Sequence, residues 1–292
     1  MTGTSTVNHR QAHAWNGPLG RHWADHHRRF DTMLGEADEA LFAAAAIGPG
    51  DRVLDIGCGA GATTRAAALL AAPGHAVGVD ISAPLVDRAR ARTAQEGVPN
   101  AAYQLGDVQA HPFPPGVFDV AISRGGVMFF EDHVTAFANV ARALRPRGRL
   151  AFVCPRRPDP DSEEVTALSL FARRLAEGSA YRAGQGPAAP DPDAQAAHTA
   201  MASLSEPYRV HAVLHRSFTD IAVNPVDIHT HWGDSPADAV DFLLSRAPAR
   251  SVPSATRALL EDTLRPYATP RGVRTRAGVW LVTALRRDDA GA

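Results

Sequence analysis

Three glycines at alternate positions, Gly57, Gly59 and Gly61, break the stretch VLDIGCGAGATT (53–64) between an apolar run and an alanine-rich one. Residues without a Cβ let the backbone turn sharply and approach a ligand closely, as in loops that join a buried strand to a helix. A polar or charged ligand is therefore expected against Gly57, Cys58, Gly59 and Gly61. With Ala62 in the third place, the same letters satisfy the pattern G-x-G-x-x-G/A, so the loop by itself leaves a nicotinamide or flavin dinucleotide open.

Carboxylates recur at the ends of the neighbouring apolar runs. Asp55, two residues before Gly57, is placed to orient backbone amides and to face a cationic amino group, and its charge repels a pyrophosphate. Asp80 closes HAVGVDI (75–81), where an acidic residue accepts hydrogen bonds from ribose hydroxyls; this suits NAD and an adenosine-containing methyl donor equally. Asp107, in LGDV (105–108), is suited to accept a hydrogen bond from an adenine amino group, with the Val108 amide offered to the ring.

The elements that must hold these groups follow from periodicity and breakers. An alanine- and leucine-rich helix over 37–47 stops at GPG (48–50). RVLDIG (52–57), HAVGVDI, AAYQLGD (101–107), FDVAISR (118–124) and GRLAFVCP (148–155) read as strands, separated by helices in 62–72, 84–97 and 133–146. That alternation predicts a parallel, doubly wound α/β sheet over 51–155. Residues 1–46 read as a helical entry segment. After 155 the pattern breaks into a helix near 163–177 and a Pro/Gly/Asp-rich surface insertion, GQGPAAPDPDAQ, and the chain ends with helices around 236–247 and 253–266 and the strand GVWLVTALRR (278–287).

Composition narrows the function classes. With 45% hydrophobic and 21% charged residues the 292-residue chain is an ordinary globular protein, and its apolar runs fall far short of the roughly 20 residues a spanning helix needs. The opening MTGTSTVNHRQ lacks the basic-then-apolar order of a secretory signal, so a cytoplasmic location is expected. A net charge of −1 argues against a nucleic-acid partner, which favours a marked basic excess. The sequence contains no lysine, which removes Schiff-base chemistry and the phosphate-loop lysine. Two cysteines are too few for a disulfide framework or a thiolate metal cluster, and His229 and His231 lack a defined third ligand, so no metal is expected.

Taken in order, VLDIGCGAGATT, VGVDIS, GDVQAHPFPPGVFDVAISR and ALRPRGRLAF resemble the successive motifs of the class I S-adenosylmethionine-dependent methyltransferases, especially the small-molecule group of bacterial biosynthetic pathways. The resemblance covers most of 15–155. It implies a Rossmann-like sheet of seven strands with the last antiparallel, FTDIAVNPVDI and GVWLVTALRR supplying the sixth and seventh. It also implies a helical N-terminal lid (1–46), a donor-binding core (47–155), a cap over the acceptor after the fifth strand (156–216) and a C-terminal part completing the sheet (217–292), in one structural domain. Carried over by position, Asp55 and Gly57 to Gly61 would line the methionine part of the donor, Asp80 and Ile81 the ribose and adenine, and Asp107 and Val108 the adenine edge. Ser123 with Arg124 would form the floor beneath the sulfonium. In the lid segment AWNGPLGRHWADHHRRFD, Trp15 and Trp23 would be aromatic covers, although a tryptophan on an amphipathic helix packs more often than it touches a ligand.

Methyl transfer is an in-line displacement, so positioning supplies most of the catalysis. A hydroxyl or amine nucleophile also needs a proton acceptor, and a histidine titrating near neutrality suits that work. The candidates are His133, in FFEDHVTAF, and His26, from the lid; His26 and His27 are adjacent on a helix, so only one faces the cleft, and His26 is the expected one. His111 lies nearer the adenine. Tyr181 and Tyr208 fall in the cap, and His231 with Trp232 could join it. The expected activity is thus methylation of an oxygen, nitrogen or carbon of a small metabolite, in natural-product biosynthesis. The alternatives are a donor-binding fold with a non-methylating role, such as a cyclase, and an NAD(P)-dependent oxidoreductase, against which Asp55 and Asp107 count. A homodimer is one use for the apolar face of the entry helices; packing on their own domain is the other.

Overall fold

Four short helices, α1 (His9–Asn16), α2 (Pro18–Asp25), α3 (His27–Leu34) and α4 (Glu36–Ala45), lead into β1 (Arg52–Ile56) in the computed structural model, which describes residues 6–180, 196, 199–246 and 252–288. Pro18 begins α2, where a missing N–H costs nothing because the first helical amides have no intrahelical partner. Helix α4 acts as a flank of the sheet: Ala37, Leu41 and Ala45 are buried against Val53, Val120 and Ile122. Its small side chains let the helix sit close to the strands.

The alternation expected over 51–155 is present. After β1 come α5 (Ala62–Ala71), β2 (His75–Asp80), α6 (Ala83–Glu96), β3 (Ala101–Leu105), β4 (Phe118–Arg124), α7 (His133–Ala143) and β5 (Leu144–Pro155). The remainder supplies α8 (Glu163–Ala180), α9 (Pro207–Leu214), β6 (Phe218–Gly233), α10 (Pro236–Ser245), α11 (Ser254–Leu264), the two-residue β7 (Ala268–Thr269) and β8 (Gly272–Arg286). Strand order is β3-β2-β1-β4-β5-β8-β6, with β7 pairing only to β8. Strands β1 to β5 pair in parallel, whereas β8 runs antiparallel to both β5 and β6. The strand reversal therefore falls where expected, but β8 starts at Gly272, six residues before the β-branched run that signalled it. Its first half pairs with Ile228 to Gly233, which carries HTHW into β6.

One core layer joins Leu54, Ile56, Phe118 and Phe152 of the sheet to Phe137 of α7 and Leu214 of α9. Each such side chain stabilises the fold by roughly 1.5–3 kcal/mol. No helix among the described residues is long and apolar enough to cross a membrane. The segment GQGPAAPDPDAQ and Tyr181 lie outside the described residues. Tyr208 is 64% exposed on α9 and holds a surface contact with Arg209, so it does not cover a pocket. His229 bonds the Glu36 carboxylate through its backbone N–H and ring, and His231 stands 3.6 Å from Asp234.

Candidate functional site

A large cavity opens at the carboxyl ends of β1, β2 and β4, and α1 to α3 lie along its other side. The glycine loop forms its floor. Gly57 takes φ +65° and donates its N–H to the Val79 carbonyl at 2.8 Å; a Cβ there would stand 2.7 Å from the Gly126 Cα. Gly59, at φ +52°, has open space where its Cβ would be, on the cavity wall. Gly57→Ala is expected to cost about 1–2 kcal/mol from backbone conformation alone and more from the displaced Gly126, read as a lowered Tm.

Asp80 ties this loop to β2. Its Oδ2 accepts the Gly59 N–H at 2.8 Å and its Oδ1 the Ser82 N–H at 2.9 Å, and it lines the cavity with Ile81. Burial raises its pKa, and the amides of Ser82, Gly59 and Ile81 pull it back. A carboxylate accepts about four hydrogen bonds, so the amides leave acceptor capacity on Asp80 for a hydroxyl group.

Asp55 departs from expectation. It is fully buried behind the loop and off the cavity wall, with Oδ2 accepting the hydroxyls of Thr63 (2.7 Å) and Thr64 (2.6 Å) while Oδ1 has no partner. Thr63 lines the cavity in its place. Burial pushes the Asp55 carboxyl up to about 6, even with both threonines and the positive Arg124 opposing that shift.

Asp107 and Val108 do line the cavity, but Oδ2 of Asp107 already accepts the N–H groups of Val7 (2.9 Å) and Asn8 (2.8 Å), and Oδ1 that of Gln109 (3.0 Å). The amino-terminal segment is thus docked on this carboxylate. Asn8 lines the cavity and donates its Nδ2 to the Phe129 carbonyl, which leaves Oδ1 buried and without a partner.

Ser123 is also behind the floor, donating to the Ile56 carbonyl and accepting from the Gly126 N–H, whereas Arg124 lines the cavity. Burial alone would lower the Arg124 pKa; its ion pairs with Asp38 (2.8 Å) and Asp31 (2.6 Å) outweigh this and raise it. These pairs clamp α3 and α4 to the end of β4. Cys58 lines the wall as a thiol whose pKa burial lifts well above its ordinary value, and Gly61 caps α5 off the wall.

Residues 54–152 match the family model for a methyltransferase domain. Over these residues the chain is similar to the class I S-adenosylmethionine-dependent methyltransferases. It is 35% identical over 162 residues to an uncharacterised protein of Mycobacterium tuberculosis, covering 55% of this chain and 54% of that one. It is 39% identical over 108 residues to the nocamycin O-methyltransferase of Saccharothrix syringae, covering 37% of this chain and 39% of that enzyme. The chain thus spans about half the length, or less, of these curated relatives. A solved phosphoethanolamine N-methyltransferase of Haemonchus contortus, bound to S-adenosylmethionine, shares the fold at a TM-score of 0.56 and 16% identity, over 98% of this chain and 61% of that one.

The entry helices complete the cavity with aromatic rings. Phe129 meets Trp15 edge-on (5.2 Å), Trp15 meets Trp23 (5.4 Å), Trp23 stacks on Phe30 (3.6 Å), and Phe30 meets Phe242 (5.2 Å). Trp15, Trp23 and Phe30 face the cavity as well as each other, so packing and wall formation are one arrangement here. The apolar faces of these helices are therefore used within the chain.

The histidine expectation changes. His26 donates Nδ1–H to the His22 carbonyl, lies over the His22 ring at 4.3 Å, and is not on the cavity wall; His27 is. The break between α2 and α3 falls at His26, so the neighbours do not follow one continuous helical register. His133 packs its Nε2 against the Ser203 hydroxyl at 3.2 Å, also off the wall, and His111 bonds Gln104. His27 holds Nδ1 to the Ala24 carbonyl at 2.9 Å, and its Nε2 is buried without a partner. Asn8, Thr63 and His27 carried no motif. Their position becomes visible only when the entry segment is folded onto the loop.

Proposed function

We propose that the chain binds S-adenosylmethionine in this cavity and transfers its methyl group to an oxygen, nitrogen or carbon of a small molecule. The observation that carries the reading is Asp80: one carboxylate fixes the glycine-loop amide and the start of α6, and keeps lone pairs at the cavity for two vicinal hydroxyls. The orphaned Asn8 Oδ1 and His27 Nε2, and the open space beside Gly59, fit a ligand with amino and hydroxyl groups. The donor supplies an activated methyl group on a sulfonium. Gly57, Gly59 and Thr63 hold its amino-acid part; Asp80 and Ile81 hold the ribose; Asn8, the remaining lone pair of Asp107 Oδ1 and Val108 hold the adenine. The aromatic wall and the Arg124 clamp exclude water, and positioning contributes most of the rate. Likeness to a nocamycin O-methyltransferase supports a small organic acceptor, which we place in natural-product biosynthesis.

For the acceptor's proton the cavity offers His27 rather than His26 or His133. Burial lowers its pKa, the bond to Ala24 opposes this and Arg88 adds to it, so the neutral ring persists to lower pH than usual with its lone pair on Nε2. His27→Ala should lower kcat about 100-fold with the S-adenosylmethionine Kd unchanged, and abolish an acid limb lying below the ordinary 6.5. A raised Kd with intact kcat would instead make His27 a donor ligand.

The reading is tested by calorimetric titration with S-adenosylmethionine, S-adenosylhomocysteine and NADH. Binding of the two adenosyl sulfur compounds alone is expected; binding of NADH alone overturns it.

A further inference from the structure

The cavity that holds the aromatic wall is also lined by one cation that forms no ion pair among the described residues. Arg246 follows the last turn of α10, four residues beyond Phe242, the ring that ends the chain of stacked and edge-on aromatics. Arg246 is an exposed residue that also lines the cavity, and its guanidinium lies 5.9 Å from the Trp232 ring centroid. Among the described residues it makes no hydrogen bond and no ion pair at contact distance. Surrounding protein lowers its pKa, and the nearby Glu164 opposes this without touching it. Glu164 is held by Thr230, and its own pKa is raised by burial, so it leaves the positive charge only partly compensated.

The other charges on this wall are already engaged. Arg124 is saturated by Asp31 and Asp38, and Asp80 and Asp107 hold backbone amides. The same cavity is lined by the apolar Phe30, Met33, Leu34, Met201 and Val279, while Trp232, His22 and Glu164 lie nearest the Arg246 charge. A planar guanidinium is weakly hydrated and presents paired N–H donors that match an oxyanion. Protein packed around it lowers its pKa, so part of its hydration is already lost and an anion gains more there than beside a fully solvated arginine.

We propose that Arg246 is the acceptor-recognition residue of the methyl-transfer site, and that the acceptor is an apolar, ring-bearing molecule with a carboxylate or similar oxyanion remote from the atom that receives the methyl group. This rests on the proposed function. The rings from Phe30 to Trp15 take the acceptor's apolar body, and Arg246 fixes its far end, which sets the depth at which a nucleophile meets the donor.

The probes are 2-naphthoate and its neutral methyl ester, titrated by calorimetry into protein saturated with S-adenosylhomocysteine. Wild-type protein is expected to bind the acid more tightly than the ester. Arg246→Gln should weaken the acid at least about tenfold and leave ester and S-adenosylhomocysteine affinities unchanged, while Arg246→Lys, which keeps the charge but loses the fork, should fall between. Equal affinity of wild type and Arg246→Gln for 2-naphthoate overturns the proposal, as does preference for the ester or absence of binding by both probes. A parallel loss of both probes and of S-adenosylhomocysteine in Arg246→Gln would mark a structural residue and overturn it too. Failure of S-adenosylhomocysteine to bind wild type is a separate result, which strikes the proposed function; the two naphthyl arms then read Arg246 in the unliganded protein.

Discussion

Asp80→Ala is expected to weaken S-adenosylmethionine binding by two to four orders of magnitude, measured by calorimetry on folded protein. Two hydrogen bonds from ribose hydroxyls to a carboxylate are each charge-assisted, worth roughly 1.5–3 kcal/mol. Removing the carboxylate also releases the Gly59 and Ser82 amides, which it holds at 2.8 and 2.9 Å. The loop then loses the anchor that keeps Gly59 open to the cavity, so pre-organisation is lost with direct contact. Asp80→Asn separates the two contributions. Its side-chain oxygen can keep one amide bond, whereas the NH2 group repels the other, and an intermediate loss of affinity is expected. Unchanged affinity in both variants would show that the ribose lies elsewhere.

The contrast between Asp80 and Asp55 shows how far the sequence could be read. Strand periodicity and the order of motifs placed both at strand ends beside the loop, and that placement holds. Which way each carboxylate faces depends on one further step of the pleat and on what packs behind it. Asp80 is the last residue of β2 and opens to the cavity; Asp55 is the fourth residue of β1 and turns beneath α5, where Thr63 and Thr64 meet it. Two threonines in the first helical turn were the available signal, since β-branched hydroxyl residues there often serve a side-chain partner. The entry segment was legible as helical and aromatic, but the helix break at His26 was not, because no glycine or proline marks it. That break sends His27, and not His26, to the wall. Asn8 and Arg246 are further from any motif: one is 99 residues from Asp107, which its N–H meets, and the other follows the end of a helix that local pattern identifies only as amphipathic. Contacts of this kind are fixed by tertiary packing, which single-sequence periodicity does not contain.

Asp55→Asn should shrink a pH dependence of stability and, at the same time, weaken the donor more than the product. The folded carboxyl titrates at about 6 against an ordinary 3.8, so the folded state binds more protons between those values. Stability contributed by the protonated group is therefore fully present below the unfolded pKa and is lost as pH rises toward the folded one; a difference of about 2 corresponds to roughly 3 kcal/mol. Denaturant unfolding of the wild type at pH 4 and pH 7 should show this loss, and in the asparagine variant, whose oxygen still accepts both threonine hydroxyls, it should shrink to what other carboxyls raised by burial, Asp80 and Glu164 among them, contribute. A steeper or unchanged slope in the variant would mean that Asp55 is not the titrating group. Above pH 6 the buried charge is compensated only in part by the two threonine hydroxyls and Arg124, which costs stability in the unliganded protein but places a negative potential under the loop. A sulfonium gains from that potential, while the neutral sulfur of S-adenosylhomocysteine does not. The ratio of the two dissociation constants should therefore shift toward the product in Asp55→Asn, linking the unpartnered Oδ1 to donor discrimination through charge rather than through contact.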